Sequence, residues 1–370
     1  MESNENSAPA GKVVAVRLIA QDSYLETHIV KPDEVKARGG EMLLWGKRND
    51  YPAYLTELAD DCTTLSAIIS GVVDYVTGDD VELAVELAVG PGRANEDQSV
   101  FELVQNIAAN LAKYGGFAIQ VIRTKDGGLY SLHCLDLANV RTNKENTVFW
   151  YAEKWDGRKE KAKEYPKFIP GAKDQPTGIV FVKRPTVTGA YPRPLWSAAV
   201  KAAETERCTD VYHLNAINNG FEGSAVINFN NGVPDEETRK KVEKEVDEKF
   251  GGYQNAGRIL TSWNDAVTNK TTIESLKTED FGEKYQSLAK WCRQQLFTAF
   301  RANPNLFGIA TESSGFNSEE YASAFKLFNR TTVKPFQRLI TDAFARIFGS
   351  AALTIKPFTL EDTGGEAEVR

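Results

Sequence analysis

Histidines, cysteines and paired carboxylates are where this chain could do acid–base, nucleophilic or metal chemistry, and their spacing argues against all three. His28, His133 and His213 are scattered, and the sequence offers none of them the orienting partner that proton transfer needs. Cys62, Cys134, Cys208 and Cys292 lack the short spacing of a zinc or redox motif. Few, distant cysteines fit a reducing compartment. Asp60-Asp61 lies within a helical pattern, where adjacent side chains point apart. Asp79-Asp80 follows Gly78 at a helix end, where turn residues gather. Gly46-Lys47 is followed by Arg48 and lacks the upstream glycine of a phosphate-cradling loop. Gly90-Pro91-Gly92 reads as a turn, and neither G-x-S-x-G nor H-E-x-x-H occurs. The sequence nominates no catalytic residue, no cofactor and no metal ligand, and a non-enzymatic protein is expected.

What remains is a chain that can build a large core. It has 370 residues, 42% of them apolar, and a net charge of −7. This suits a soluble protein of two or three domains and excludes collagenous, disordered and strongly polyionic classes. The longest apolar stretch, 67–73, is interrupted by Ser70 and Gly71. It falls far short of the roughly 20 residues of a membrane span. Residues 1–11 are polar and acidic, so they read as a disordered tail and not as a secretory leader.

The apolar periodicity then lays out the elements. Residues 52–78 read as one helix closed by Gly78, and 99–114 as a second closed by Gly115-Gly116. Strands are expected at 117–123 and 129–135 around an Asp126-Gly127 turn, and at 147–155 and 178–182, with a loop over 156–175. Together, 12–194 reads as an α+β domain. Residues 195–220 form a long helix. A strand–helix–strand unit follows over 221–276, its helix capped by Asp235, acidic in its first turn and charged throughout. Pairs such as Glu236–Lys240 and Glu237–Lys241 would lace that helix. A helix over 279–301 leads to a Pro/Gly-containing loop, 302–316. Asn317 and Glu320 begin a last helix to 348, which Pro335 should kink. The remainder, 349–370, reads as a short tail.

The second half carries a resemblance. VTGAYPRPLW (187–196), NAGRIL (255–260), AFRANPNLFGIA (299–310) and FNSEEYASAFKLFNRTTVKPFQRLI (316–340) follow one another in an ordered set. In that order they resemble the portal proteins of tailed bacteriophages. The match runs over 187–348, and Asn49-Asp50-Tyr51-Pro52 with the sheet beginning at Gly115 extends it more weakly into the first half. The resemblance implies a portal-like α+β fold. It has an α/β wing at 12–194, two long stem helices (195–220 and 279–301), a clip at 221–276, a tunnel loop at 302–316 and a long bent wing helix at 317–348. A helical crown would be reduced or absent after Phe348.

The resemblance further implies a homo-oligomeric ring of about twelve subunits at one capsid vertex of the virion, assembled in the host cytoplasm. Double-stranded DNA is packaged and ejected through its axis without sequence specificity. Its partners are the terminase, then the head–tail connector, and the major capsid or scaffold protein; no membrane is involved. Asn303, Asn305, Thr311, Glu312, Ser313 and Ser314 would face the DNA, and Glu243, Glu245 and Glu248 would form the docking surface of the clip. Charge agrees: twelve chains at −7 each give roughly −84, which repels a duplex from the wall. The alternatives are an intracellular α+β enzyme with an unrecognised small-molecule site, or another ring-forming adaptor of the head–tail junction.

Overall fold

A computed structural model of the chain describes residues 16–17, 29–37, 40–155, 162–186, 189–218, 225–229, 235–250, 259–263, 272–275, 281–309 and 318–359. In chain order its elements begin with β1 (Val16–Arg17), β2 (Glu34–Lys36), β3 (Leu43–Trp45), α1 (Tyr51–Asp61), α2 (Thr63–Thr77) and β4 (Asp80–Leu83). Then come α3 (Val100–Tyr114), β5 (Gly116–Arg123), β6 (Leu129–Leu135), β7 (Val140–Thr142), β8 (Val148–Tyr151), β9 (Lys163–Pro166) and β10 (Thr177–Lys183). The second half holds α4 (Val200–Asn218), β11 (Ala225–Phe229), α5 (Glu236–Phe250), β12 (Ile259–Trp263), β13 (Thr272–Ser275), α6 (Phe281–Phe300), α7 (Ser318–Phe328), α8 (Lys334–Phe348) and β14 (Leu353–Lys356).

The chain divides into two compact units, 1–29 with 205–291 and 30–204 with 292–370, so α4 and α6 each carry residues of both. In the first unit, β11 and β12 pair in parallel across α5, β13 pairs antiparallel with β11, and β1 pairs antiparallel with β12. Residues 12–29, expected with the first domain, therefore group with the strand–helix–strand unit: Val16 lies opposite Ser262 and Arg17 opposite Thr261. The reason is the free edge of β12, which accepts a strand from anywhere in the chain.

The second unit holds two antiparallel sheets, β10-β5-β6 and β2-β3-β7-β8-β9, and the pair β14-β4. Helices α2, α3 and α8 pack on one another, and β10 lies against α8. Helix α3 starts at a capping box in which Ser99 Oγ accepts from the Glu102 N–H (3.2 Å) and Glu102 Oε2 accepts from the Ser99 N–H (2.7 Å). Gly115, left-handed at φ 82°, ends it.

Four sequence expectations change here. The single helix over 52–78 is broken at Cys62, whose extended backbone separates α1 from α2; one residue out of register leaves the apolar spacing intact. The loop expected over 156–175 contains β9, which pairs with β8. Asp80 is not a turn residue but the first residue of β4. The tail after 348 contains β14, antiparallel to β4 with Lys356 opposite Asp80. Asp79 Oδ2 accepts from the Thr359 N–H (3.1 Å) and hydroxyl (2.6 Å), and Lys356 Nζ bridges Asp80 (2.8 Å) and Glu82 (2.7 Å).

Arg141 organises the larger sheet. It is fully buried and has no carboxylate at its guanidinium among the described residues. Its Nη1 donates to the carbonyls of Ala138 (2.8 Å) and Val140 (2.9 Å), its Nη2 to the Asn49 carbonyl (3.2 Å) and its Nε to Asn49 Oδ1. Trp155 lies 4.9 Å beneath it. Asn49, left-handed at φ 65°, is held by this clamp and by the Trp45 N–H (3.1 Å). Burial lowers the Arg141 pKa to about 10, which leaves it charged at neutral pH. Close by, Tyr191 stacks on Trp45 at 4.6 Å and its hydroxyl binds the Leu43 carbonyl.

Two outcomes are expected. Arg141→Leu strands several buried acceptors and should cost about 3 kcal/mol in urea unfolding. For β14, the Lys356 ion pair and the Val81 N–H hold the Asp80 pKa below its ordinary 3.8. A depressed carboxylate pKa stabilises the fold above its unfolded value and loses that effect as pH falls through the folded one. Amide protection over 353–356, corrected for intrinsic exchange, should therefore hold from neutral pH to about 5 and fall below about 4.

Candidate functional site

The segment after α6 is built to be fixed at its start. The helix ends in a six-to-one and five-to-two pair of backbone bonds, Ala302 N–H to Phe297 O (3.0 Å) and Arg301 N–H to Thr298 O (3.1 Å). Arg301 takes the left-handed position, φ 55°, that glycine usually fills. Asn303 then caps a short 3₁₀ turn, Pro304–Phe307, accepting from the Asn305 N–H (3.0 Å). Its side chain, expected to face DNA, is exposed and engaged in this cap, while Asn305 is half-buried. Thr311, Glu312, Ser313 and Ser314 lie outside the described residues.

This turn docks on α2. The Tyr75 hydroxyl donates to the Leu306 carbonyl (2.7 Å), and burial raises the Tyr75 pKa, so the donor proton stays in place. Tyr75 is ringed by Phe307, Phe325, Phe328 and Phe358 at centroid distances of 5.9, 5.8, 5.5 and 4.8 Å. The Phe307 ring fills the space over Gly71, where a β-carbon would lie 2.6 Å from two of its atoms. The glycine that interrupts the apolar run of α2 is thus a socket. Downstream, Thr332 Oγ1 donates to the Phe300 carbonyl (3.1 Å) and Gln337 to the Val76 carbonyl (3.0 Å).

Pro335 stands in the first turn of α8, just after a π-helical stretch, Asn329–Val333. The Lys334 N–H reaches the Asn329 carbonyl five residues back. Proline cannot serve the carbonyl four residues before it, and a wider turn there re-routes the ladder. The irregularity therefore precedes Pro335.

On α5, Asp235 accepts from the Thr238 N–H (2.8 Å). Lys240–Glu236 (2.7 Å) and Lys241–Glu237 (3.0 Å) are exposed pairs one helical turn apart. Such pairs contribute little to stability. Glu245 is exposed; Glu243 and Glu248 lie on the same helix, with side chains outside the described residues.

A groove of about 710 Å³ is lined in part by His133, Cys134, Glu153 and Lys163. His133 Nε2 lies 3.1 Å from Ser131 Oγ. Burial pushes the Cys134 thiol up to about 12, so it is not a thiolate nucleophile. Asp60 pairs with Lys113 (3.4 Å). No cluster of metal-ligating residues occurs among the described residues. No described helix is long and apolar enough to cross a membrane.

The fold has solved counterparts. The chain aligns with a chain in the virion of the native gene transfer agent at a TM-score of 0.55 and 17% identity, covering 83% of both. It aligns with a chain in the neck of the native particle, computed with C12 symmetry, at 0.55 and 16% identity, covering 90% of this chain and 87% of that one. No curated protein matches the chain. The α+β fold is therefore shared with these chains of the gene transfer agent particle. The family model for phage portal proteins matches residues 87–360, and the chain belongs to that family, a structural one.

Gly71 offers a direct test of the socket. Gly71→Ala should strain the Phe307 contact, and Gly71→Ala with Phe307→Leu should relieve it. A double-mutant cycle by chemical denaturation is expected to give about 1–2 kcal/mol of coupling.

Proposed function

We propose that this chain forms the portal ring at one vertex of a phage-like capsid, a ring of about twelve copies through which double-stranded DNA is packaged and ejected. The observation that carries this reading is the family match over 87–360. The C12 symmetry of the neck in which a similar chain sits supports the subunit number. In this reading α4 and α6 are the stem helices, and 221–276 is the clip, completed by β1. It docks the terminase during filling and the head–tail connector afterwards, with Glu243, Glu245 and Glu248 on the docking helix. The sheets of the second unit and the elements from α7 to α8 make the wing, which meets the capsid or scaffold protein.

Residues 302–316 form the loop at the channel, with Asn303 and Asn305 at its foot and Thr311, Glu312, Ser313 and Ser314 at its tip. A foot docked on Tyr75 and Gly71 lets the tip vary without melting α6 or α7. Between Ala302 and Phe316 the only charged residue is Glu312, so the loop gives phosphates nothing to hold. The ring itself consumes no nucleotide, and the energy for translocation comes from the partner motor.

Native mass spectrometry of the full chain at several salt concentrations should show a closed ring; monomer alone at high protein concentration would sink the reading. In a packaging assay, removing 311–314 should leave the ring intact and reduce retained DNA. Glu312→Lys should slow passage by adding one phosphate-attracting charge per subunit.

A further inference from the structure

The face that the last helices turn to solvent carries a row of cations. Lys326 lies near the end of α7, Arg330 in the π-helical stretch, and Lys334 and Arg338 in the first part of α8, each four residues from the next. All four are exposed, while Phe328, Thr332, Val333, Phe336 and Ile340 of the same run are buried, so the row stands on the solvent face. In an α-helix a step of four residues turns slightly past a full circle, and such a row drifts round the axis. The wider π turn over Asn329–Val333 takes up that excess in the middle of the row and keeps Lys326, Arg330 and Lys334 close to one line. The row is about 18 Å long, with a charge roughly every 6 Å.

This row costs the fold stability, because like charges one turn apart on a helix repel. No acidic residue stands three or four positions from Lys326, Arg330 or Lys334. None of these three makes an ion pair among the described residues. Arg338, at the end of the row, meets Asp342 one turn on at 3.9 Å. Helix α5 shows the opposite arrangement, with Lys240 set one turn from Glu236 and Lys241 one turn from Glu237. In a chain with 51 acidic residues against 44 basic ones, a line of cations without carboxylates is a departure from the general pattern. A ligand of negative charge would supply what the fold does not.

We propose that Lys326, Arg330, Lys334 and Arg338 form a site for the phosphate backbone of a nucleic acid. A small anion needs one or two such groups, whereas a line of four fits a polymer whose charge repeats at short intervals. A protein partner fits less well. Protein interfaces are poor in lysine and built around apolar anchors, and Leu327 is the one large apolar residue exposed beside the row among the described residues. That the nucleic acid is duplex DNA rests on the portal reading. There the row belongs to the wing and not to the 302–316 loop, so it holds duplex beside the ring while the strand in transit meets no cation on the loop.

The test uses the full-length protein and fluorescein-labelled duplexes of two unrelated sequences, titrated by anisotropy between about 50 and 200 mM salt. Lys326→Gln combined with Lys334→Gln should weaken binding to both sequences alike. The slope of log affinity against log salt should fall by about two, close to one for each phosphate that is no longer neutralised. Arg330→Glu reverses the middle charge and should weaken binding as well. It should also keep or raise the melting temperature, because its carboxylate pairs with Lys326 and Lys334 one turn away on either side, which separates the ligand role from a structural one. Unchanged affinity and slope in both variants would overturn the site, as would a wild type that does not bind duplex at about 50 mM salt. Variants that lose assembly while each chain still binds duplex as before would assign the row to an acidic face of a second copy, and so overturn it too. Native mass spectrometry of the wild type tests the portal reading separately: if no ring forms, that reading fails, and the titration still reports on the row.

Discussion

The contact between the Pro304–Phe307 turn and α2 is the constraint on which the second unit depends. It joins residues 231 apart in sequence through the Tyr75–Leu306 hydrogen bond. The chain leaves this unit after Glu204 and returns at Cys292, both times inside a helix. On return, its register has to be set by something other than the helix ladder, which places no landmark. Phe297, Phe300 and Leu306 are buried, Phe307 meets Phe297 at 5.5 Å and Phe328 at 5.8 Å, and the Gly71 gap admits one ring. An unmade Tyr75–Leu306 bond would leave a buried donor and acceptor unmet, at a cost of about 1–3 kcal/mol for each group. The Thr332–Phe300 and Gln337–Val76 bonds then tie the elements that follow to the same seat.

Much of this was legible where local signals are strong. The helices at α3, α5, α6 and α8 follow from apolar spacing bounded by caps and glycines, and the β5–β6 hairpin from Asp126-Gly127. The ordered loop motifs of the second half pointed to the family. What was not legible depends on partners distant in sequence. Strands β2, β3, β7, β4 and β14 have three or four residues each, too few for alternation to show. β14 exists because the distant edge of β4 accepts it and β3 reaches the distant β7, whereas β2 pairs with the adjacent β3 and is hidden by its shortness alone. Arg141 gave no signal, because a charged residue reads as surface until its four acceptors are in view. Gly71 looked like a blemish in an apolar run, since the ring it accommodates lies more than two hundred residues away. Of the loop residues, Asn303 makes an Asx cap on Asn305 that needs only the local sequence.

The distribution of charge separates what the fold satisfies from what it leaves open. Asp79 and Asp80 look like an exposed acidic pair in sequence but are spent on Thr359 and Lys356. Glu236 and Glu237 are answered one turn on by lysines. Arg141 is satisfied by carbonyls and an aromatic face. Arg184, too, is answered by a carbonyl, that of Arg193 (3.3 Å).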